Sequence, residues 1–228
     1  TEIELPQRDP QQQYLNNYLN AFGNALNSAG FTNQTTGYPA YVDVDAWIDH
    51  HILNVMTFNV DALRLSAYFY KPRNGKLVFG PIWDFDRALG STDGRDANPR
   101  VWRSQVSDYG TDFFNYPWWG KMFTDPDFWQ KWIDRWQELR LDRFSLTNLN
   151  TVIDGLCNQV RSSQPRELAK WGVQPRGGSY QGEINYTKNW LAARVNFMDT
   201  NFLAKPVFSN SGGPIAAGFT LTISGPAG

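Results

Sequence analysis

The stretch NVDALRLSAYFYKPRNGKLVFGPIWDFDRALG, Asn59 to Gly90, decides how the rest of the chain is read. Two short β-rich runs, LSAYFY and KLVFGPIW, flank KPRNG, and turn chemistry follows them. Asn74-Gly75 is the strongest short hairpin signal available, because both central positions of the favoured turn need φ > 0. With those two as the turn, Arg73 faces Lys76, Asp84 lies opposite Leu65 and next to Ser66, and Asp86 lies opposite Leu63. Strands sit about 5 Å apart and advance about 3.3 Å per residue. That arithmetic gathers Asp61, Ser66, Asp84 and Asp86 at the open mouth of one hairpin. Three carboxylates so placed repel unless a hard cation or strong donors join them. Burying an unpaired carboxylate among Ile82, Trp83 and Phe85 is costly, so a partner is expected. The competing arrangement has Asp61 capping a turn while Asp84 and Asp86 pair with Arg87, Arg95 or Arg64.

Outward from the hairpin the chain reads as helices. Asp9-Pro10 is a helix start, and Tyr14, Leu15, Tyr18, Leu19, Phe22 and Leu26 recur at helical spacing until Gly30, after an extended lead-in TEIELPQ. A second helix begins near Asp43 or Asp45, with Val44, Trp47, Ile48, Ile52, Val55 and Met56 on one side. Ser91 to Tyr116 lacks periodicity and reads as a long functional or mobile loop. Asp125-Pro126 starts another helix, with a stripe of Phe128, Trp129, Trp132, Trp136 and Leu139. A further helix runs from Ser145 or Thr147 to about Ser162, WGVQPRGGSY connects, and the last helix spans about Tyr180 to Leu203. After Pro206 the Gly, Ser and Thr-rich texture, with alternation in FTLTIS, predicts the first strands of a β module. An unfinished sheet leaves unpaired edges. The expectation is therefore a mainly α fold with a small β-hairpin over residues 1–205 and a linker with incomplete strands over 206–228.

Composition sets the outer bounds. The chain has 228 residues, 41% hydrophobic and 19% charged, with net charge −1, enough for one sizeable core. There is no excess of Lys and Arg to suit nucleic acid, and no apolar run near the ~20 residues that span a bilayer. The chain opens on Thr, which fits a mature or excised form, and shows no signal peptide. A single cysteine, Cys157, excludes a disulfide framework and reads as a buried inert thiol. His50 and His51 are adjacent and point about 100° apart on a helix, so they cannot chelate one ion together. Ten Trp in a 15% aromatic chain could form a core or a sugar platform. The helical stripe favours the core. Trp102, Tyr109, Tyr116, Trp118 and Trp119, in and just after the loop, are the candidates for carbohydrate recognition. A paired-carboxylate glycosidase is disfavoured, since neighbouring acids on one strand seldom flank a sugar from opposite sides.

A catalytic Asp before a short hairpin, a metal-binding residue five positions on and a metal-binding Asp after the second strand is the layout of protein kinases. The wording narrows it. FNVDALRLSAYFY followed by GKLVFGPIWDFDRALG resembles the spore-coat CotH family of atypical kinase-like proteins, through Asn59, Asp61, the Ser66 position, Tyr68, Tyr70, Trp83, Asp84, Asp86 and Gly90. The resemblance covers roughly Tyr14 to Leu203. It implies the helical C-terminal lobe of a kinase-like fold, with Asp61 as the catalytic residue that orients or deprotonates an acceptor hydroxyl. It implies Asp84 and Ser66 at the nucleotide–metal site, Asp84 and Asp86 as metal ligands, and Mg²⁺ or Mn²⁺ with ATP as donor. The acceptor it implies is a secreted or surface protein of an exported bacterial system.

Ser66 stands where the family has Asn, a shorter and weaker ligand. No Gly-rich loop or strand-borne Lys precedes Asp61. The chain is therefore expected to be the C-terminal portion of the catalytic domain, lacking its N-terminal lobe and inefficient alone. The other reading keeps the fold as a binding module without catalysis.

Overall fold

The computed structural model describes residues 8–105, 111–203 and 206–225. Among them are seven α-helices: α1 (Arg8–Leu26), α2 (Val44–Thr57), α3 (Trp119–Met122), α4 (Pro126–Leu141), α5 (Leu146–Val160), α6 (Gln164–Trp171) and α7 (Tyr180–Asn201). Two antiparallel pairs, β1 (Phe69–Tyr70) with β2 (Val78–Phe79) and β3 (Val207–Phe208) with β4 (Ile223–Ser224), are the only named strands in this described set. The fold is mainly α with a small hairpin, as the periodicity predicts. The extended lead-in TEIELPQ lies outside the described residues.

Helix α2 is the axis. Asp43 caps it by accepting a hydrogen bond from Ala46 N at 3.1 Å, and Phe58 ends it in the left-handed region at φ 53. Trp47, Ile48, Ile52, Val55 and Met56 are buried, matching the predicted face. α2 packs on α4, α7 and β2, while α5 packs on α7. The stripe on α4 closes the core: Phe128, Trp132, Trp136 and Leu139 are buried and Trp129 is half-buried against the same cluster. On α1 Phe22, Ala25 and Leu26 are buried and Tyr18 and Leu19 are half-buried against the core, whereas Tyr14 and Leu15 stay exposed. Arg194 of α7 is fully buried without a carboxylate. Its Nε and Nη2 donate to Val55 O at 3.0 and 2.7 Å, and its Nη1 donates to Pro99 O at 3.1 Å and also to Val101 O. A guanidinium thus satisfies one carbonyl at the negative end of α2 and two of the loop that follows the acidic motif, with Phe58, Trp102 and Phe197 over its faces. Burial pulls its pKa down to about 9.

The hairpin forms in a different register from the one its turn residues suggest. Phe69 pairs with Phe79 and Tyr70 with Val78, one residue off the pairing that places Arg73 opposite Lys76. Asn74 and Gly75 both lie outside the positive-φ residues, and Gly75 N donates to Pro72 O at 3.1 Å to close a different turn. Tertiary contacts set this phase. Leu77 pairs with Val42, its N donating to Tyr41 O at 2.8 Å and its O accepting from Asp43 N at 2.9 Å. Trp47 Nε1 donates to the same Leu77 O at 3.0 Å. Phe79 then packs 4.9 Å from the Trp47 ring and 4.2 Å from the His50 ring, centroid to centroid. A one-residue slip would turn that side chain to solvent.

The rest departs from the sequence expectation at three points. SQPRELAKW, without an assigned element in the sequence reading, holds α6, with Pro165 in its first turn and Gly172 at φ 68 after its end. Cys157 is half-buried on α5, a helix with no fully buried side chain, so the predicted buried thiol is corrected to a partly exposed one. The strands β3 and β4 do pair, but residues 206–225 are exposed except for half-buried Asn210, so their side chains do not seal against the helices.

Candidate active site

The segment after α2 and the segment after β2 are stitched together by backbone bonds. Leu89 N donates to Thr57 O at 2.9 Å, and Val60 N reaches Arg87 O at 3.5 Å. Asn59 Nδ2 donates to the carbonyl of Asp84 at 3.2 Å. The carbonyl of Asp61 then accepts from Arg64, Leu65 and Ser66 N at 3.2, 3.0 and 3.0 Å, a tight turn that swings Ser66 toward Asp84. Ser66 Oγ donates to Asp84 Oδ2 at 2.9 Å. So Asp61, Ser66 and Asp84 are neighbours, though not through the long ladder the sequence suggested. Each strand has only two residues, and turns deliver the acids instead.

Asp84 sits at φ 64, a conformation that Asp tolerates better than most residues. Asp84 and Asp86 are both exposed, as are Ile82 and Trp83, so the expected burial of the acid pair does not occur. Three metal-competent side chains do not converge anywhere among the described residues, which corrects the predicted four-group cluster. The partners are also reversed relative to the competing sequence reading. Asp61, not Asp84 or Asp86, meets the arginines: Arg95 Nη2 at 3.2 Å, Arg87 Nη1 at 3.5 Å and Arg64 Nη2 at 3.8 Å from its carboxylate. Arg87 also lies 3.5 Å from Asp93 Oδ2, and Arg95 grips Asp93 through Nε and Nη2, holding that carboxyl below its ordinary range. Asp61, Arg87, Asp93 and Arg95 close into a ring of alternating charge.

Two atoms in this site are buried and accept no hydrogen bond from the described residues: Asn59 Oδ1 and Asp61 Oδ1. Asn59 Oδ1 has no polar partner there, whereas Asp61 Oδ1 faces Arg95 Nη2 at 3.2 Å and Arg64 Nη2 at 3.8 Å as an ion pair outside hydrogen-bond geometry. The donor set also suits a hard divalent ion. Mg²⁺ takes one or two carboxylates and fills its remaining positions with water and phosphate oxygens, so an exposed carboxylate such as Asp84 or Asp86 is chemically suited to it without a protein cage. Asp84 is the better placed, because Ser66 and Asn59 fix its side chain and its backbone. Asp86 opens onto a groove of about 950 Å³ between residues 86–92, α6 and the start of α7, with Trp171, Val173, Glu167 and Arg176 on its walls.

Gly90 closes the acidic motif for a steric reason. It lies at φ 72, and a Cβ there would stand 2.5 Å from Trp190 Cδ1. Trp190 cannot yield, since it is buried and its Nε1 donates to Asp96 O at 3.0 Å. Asp96 is fully buried and receives Ser91 N at 2.7 Å and Ser91 Oγ at 3.0 Å, folding the loop that presents Asp93 and Arg95. Sequence reasoning missed Asp93, Asp96, Arg194 and Trp190; Arg194 and Trp190 act across long stretches of chain, whereas the Asp93 and Asp96 carboxylates act on near neighbours in an aperiodic run rich in Asp and Arg that carried a visible hint.

The remaining candidates resolve as core. Trp119 is buried between Trp47, His51 and Phe79, Trp118 packs on Phe22 and Phe69, and Trp102 on Phe114 and Phe202. Tyr116 is half-buried against the same core, and Tyr109 lies outside the described residues. Of the rings proposed for sugar recognition, Trp102, Trp118 and Trp119 are therefore engaged with other aromatic rings of the core. His51 is enclosed as well: Trp132 Nε1 donates to its Nδ1 at 3.0 Å, so its Nε2–H donates to Phe113 O at 3.0 Å, the pattern of a neutral imidazole. Burial lowers the pKa of His51 to about 3 and that of His50 to about 4.

Comparison with known families matches residues 1–198 to the family described as CotH kinase protein. No curated protein matches the chain, and no solved structure does. No helix among the described residues is long and apolar enough to cross a membrane.

Proposed function

The chain belongs to the CotH kinase protein family, and from that premise we propose that it carries the acceptor- and metal-binding part of a phosphotransferase site. The reaction moves a phosphoryl group from ATP to a hydroxyl of an exported or cell-surface protein, the location being drawn from the spore-coat association of the family. One observation carries the reading. Asp84 is an exposed carboxylate whose Oδ2 is already held by Ser66 and whose carbonyl is held by Asn59, while the backbone amide of Ser66 is tied to the carbonyl of Asp61. Positioning before the substrate arrives is what phosphoryl transfer asks of the protein, since little covalent chemistry falls to it.

In this reading the Asp61 carboxylate accepts the hydrogen bond of the acceptor hydroxyl and aims its oxygen. As the new oxygen–phosphorus bond forms, the bond between the γ-phosphorus and its bridging oxygen breaks, ADP keeps that electron pair, and the hydroxyl proton passes to Asp61. Asp84, with Asp86 as second ligand, would hold Mg²⁺ or Mn²⁺, which when bound would offset charge on the phosphate oxygens. Ser66 acts through Asp84, restricting its rotamer, rather than by ligating strongly itself. The groove beside Asp86 admits the acceptor chain.

Mn²⁺ titration followed by electron paramagnetic resonance tests this directly. The expected result is one site, weakened at least tenfold in Asp84→Ala and retained in Asp61→Asn. Equal Mn²⁺ binding by the parent chain and Asp84→Ala would remove the assignment.

A further inference from the structure

Resting on the reading that the acceptor enters beside Asp86, we propose that the groove there is a binding site for an uncharged saccharide. Three observations carry it. First, the groove displays a free indole. Of the ten tryptophans only Trp83 and Trp171 are exposed, and Trp171, at 61%, stands on the wall of this groove of about 950 Å³. Lys170 Nζ lies 4.6 Å from the centroid of that ring and takes one face, which leaves the other open. Second, the polar side chains around it are uncommitted. Thr92, Gln164, Glu167 and Gln174 line the groove, and none of these side chains has a hydrogen bond or ion pair within the described residues. Third, the walls are fixed before a ligand arrives. Gly172, at φ 68, ends α6 with its N donating to Leu168 O at 2.9 Å and brings Val173 to Arg176 onto the groove. Arg176 N and Nε then donate to Glu183 at 2.6 and 2.7 Å, a pair that closes one wall and neutralises itself.

These groups match a sugar better than a polypeptide. The C–H groups on one side of a pyranose ring carry partial positive charge and seat on the negative face of an indole. Amides and hydroxyls both donate and accept, and a carboxylate accepts from two neighbouring hydroxyls, which is the pairing a polyol presents. An extended peptide gains its affinity at an open sheet edge, whereas this groove is walled by helices and turns. Charge narrows the class further. Asp86 and Glu167 have no cationic partner within the described residues, so sugars bearing carboxylates are repelled. On this inference the protein acceptor is recognised through a glycan that it carries.

The test is calorimetric titration of the whole chain, in EDTA, with cellotetraose, xylotetraose and tetra-N-acetylchitotetraose, beside oligogalacturonate and a serine-containing peptide. At least one of the three uncharged oligosaccharides should bind and shift the tryptophan fluorescence. Trp171→Ala should weaken that binding about tenfold, and Trp171→Tyr less, because a smaller ring keeps part of the stack. Glu167→Ala should weaken it about threefold through the lost acceptor. Val152→Ala, exposed on α5 away from the groove, should not alter it. Gln174→Ala serves as the second variant if Trp171→Ala loses its native circular dichroism. Absence of binding by all three, binding indifferent to Trp171 and Gln174, or tighter binding of oligogalacturonate would overturn the proposal. Trp171-dependent affinity for the peptide alone would overturn it too, by assigning the groove to a polypeptide. No metal is present in these titrations, so such a failure is distinct from Mn²⁺ binding that does not need Asp84.

Discussion

His51 and Asp61 are both buried, at 0% and 8% exposure, yet their surroundings follow opposite rules. Each polar atom of the His51 ring has a partner within the fold, and aromatic rings from Phe114, Trp119, Phe123 and Trp132 enclose it. Asp61 is surrounded by charge, its cationic neighbours stand 3.2 to 3.8 Å away, and its Oδ1 accepts no hydrogen bond from the described residues. Burial alone therefore does not mark a functional group. His51 is fully partnered by the fold, whereas the Asp61 carboxylate is met by loosely placed guanidiniums, and that difference is what separates the two buried groups.

The contrast can be broken most sharply from the core side. Trp132→Ala removes the donor to His51 and a fully buried ring, and should lower stability by about 3–5 kcal/mol in urea denaturation. A loss below 1 kcal/mol would mean that the cage is not where stability resides.

Acid should tell the same story. Burial depresses both histidines, so between about pH 6.5 and 4 the unfolded chain binds protons that the folded chain refuses. Stability should fall as pH drops through that window, by up to about 2.7 kcal/mol per pH unit for the pair, then at about half that slope from His51 alone, and flatten below about pH 3. Urea midpoints at successive pH values check this, and His51→Gln should roughly halve the slope. A midpoint flat from pH 6.5 to 4 would contradict neutral buried imidazoles.

Gly90→Ala probes the seam between the two regions. Its Cβ meets Trp190 at a positive φ, so a destabilisation of about 1–3 kcal/mol is expected together with weaker Mn²⁺ binding, because the loop carrying Asp84 shifts. The smallest effect should come from Asp84→Asn, which weakens the metal site but still tolerates φ 64 and still accepts from Ser66, so the urea midpoint stays where it was. A large drop in that midpoint would make Asp84 a structural residue like His51.

Most of the helical body was legible along the chain. Asp43, Asp125 and Ser145 act as the N-caps their positions suggest, and the apolar faces of α2 and α4 are the buried ones. The acids of the site were legible too, as residue types on a recognisable motif. Their partners were not, and the competing pairing of Arg87 and Arg95 with Asp84 or Asp86 put the cations on the wrong carboxylates.

The sequence by itself determined the helices, their caps and the short acidic motif, because periodicity and capping depend on residues within one or two turns of each other. The phase of the hairpin, the assignment of the arginines to Asp61 and the need for glycine at position 90 were decided only by tertiary structure. Leu77 had to meet Val42, Phe79 had to reach Trp47, and Trp190 had to arrive from a helix a hundred residues away (Gly90 to Trp190). Local turn preference is worth at most about 1 kcal/mol, whereas burying one Phe side chain is worth about 1.5–3 kcal/mol, so the packing prevailed.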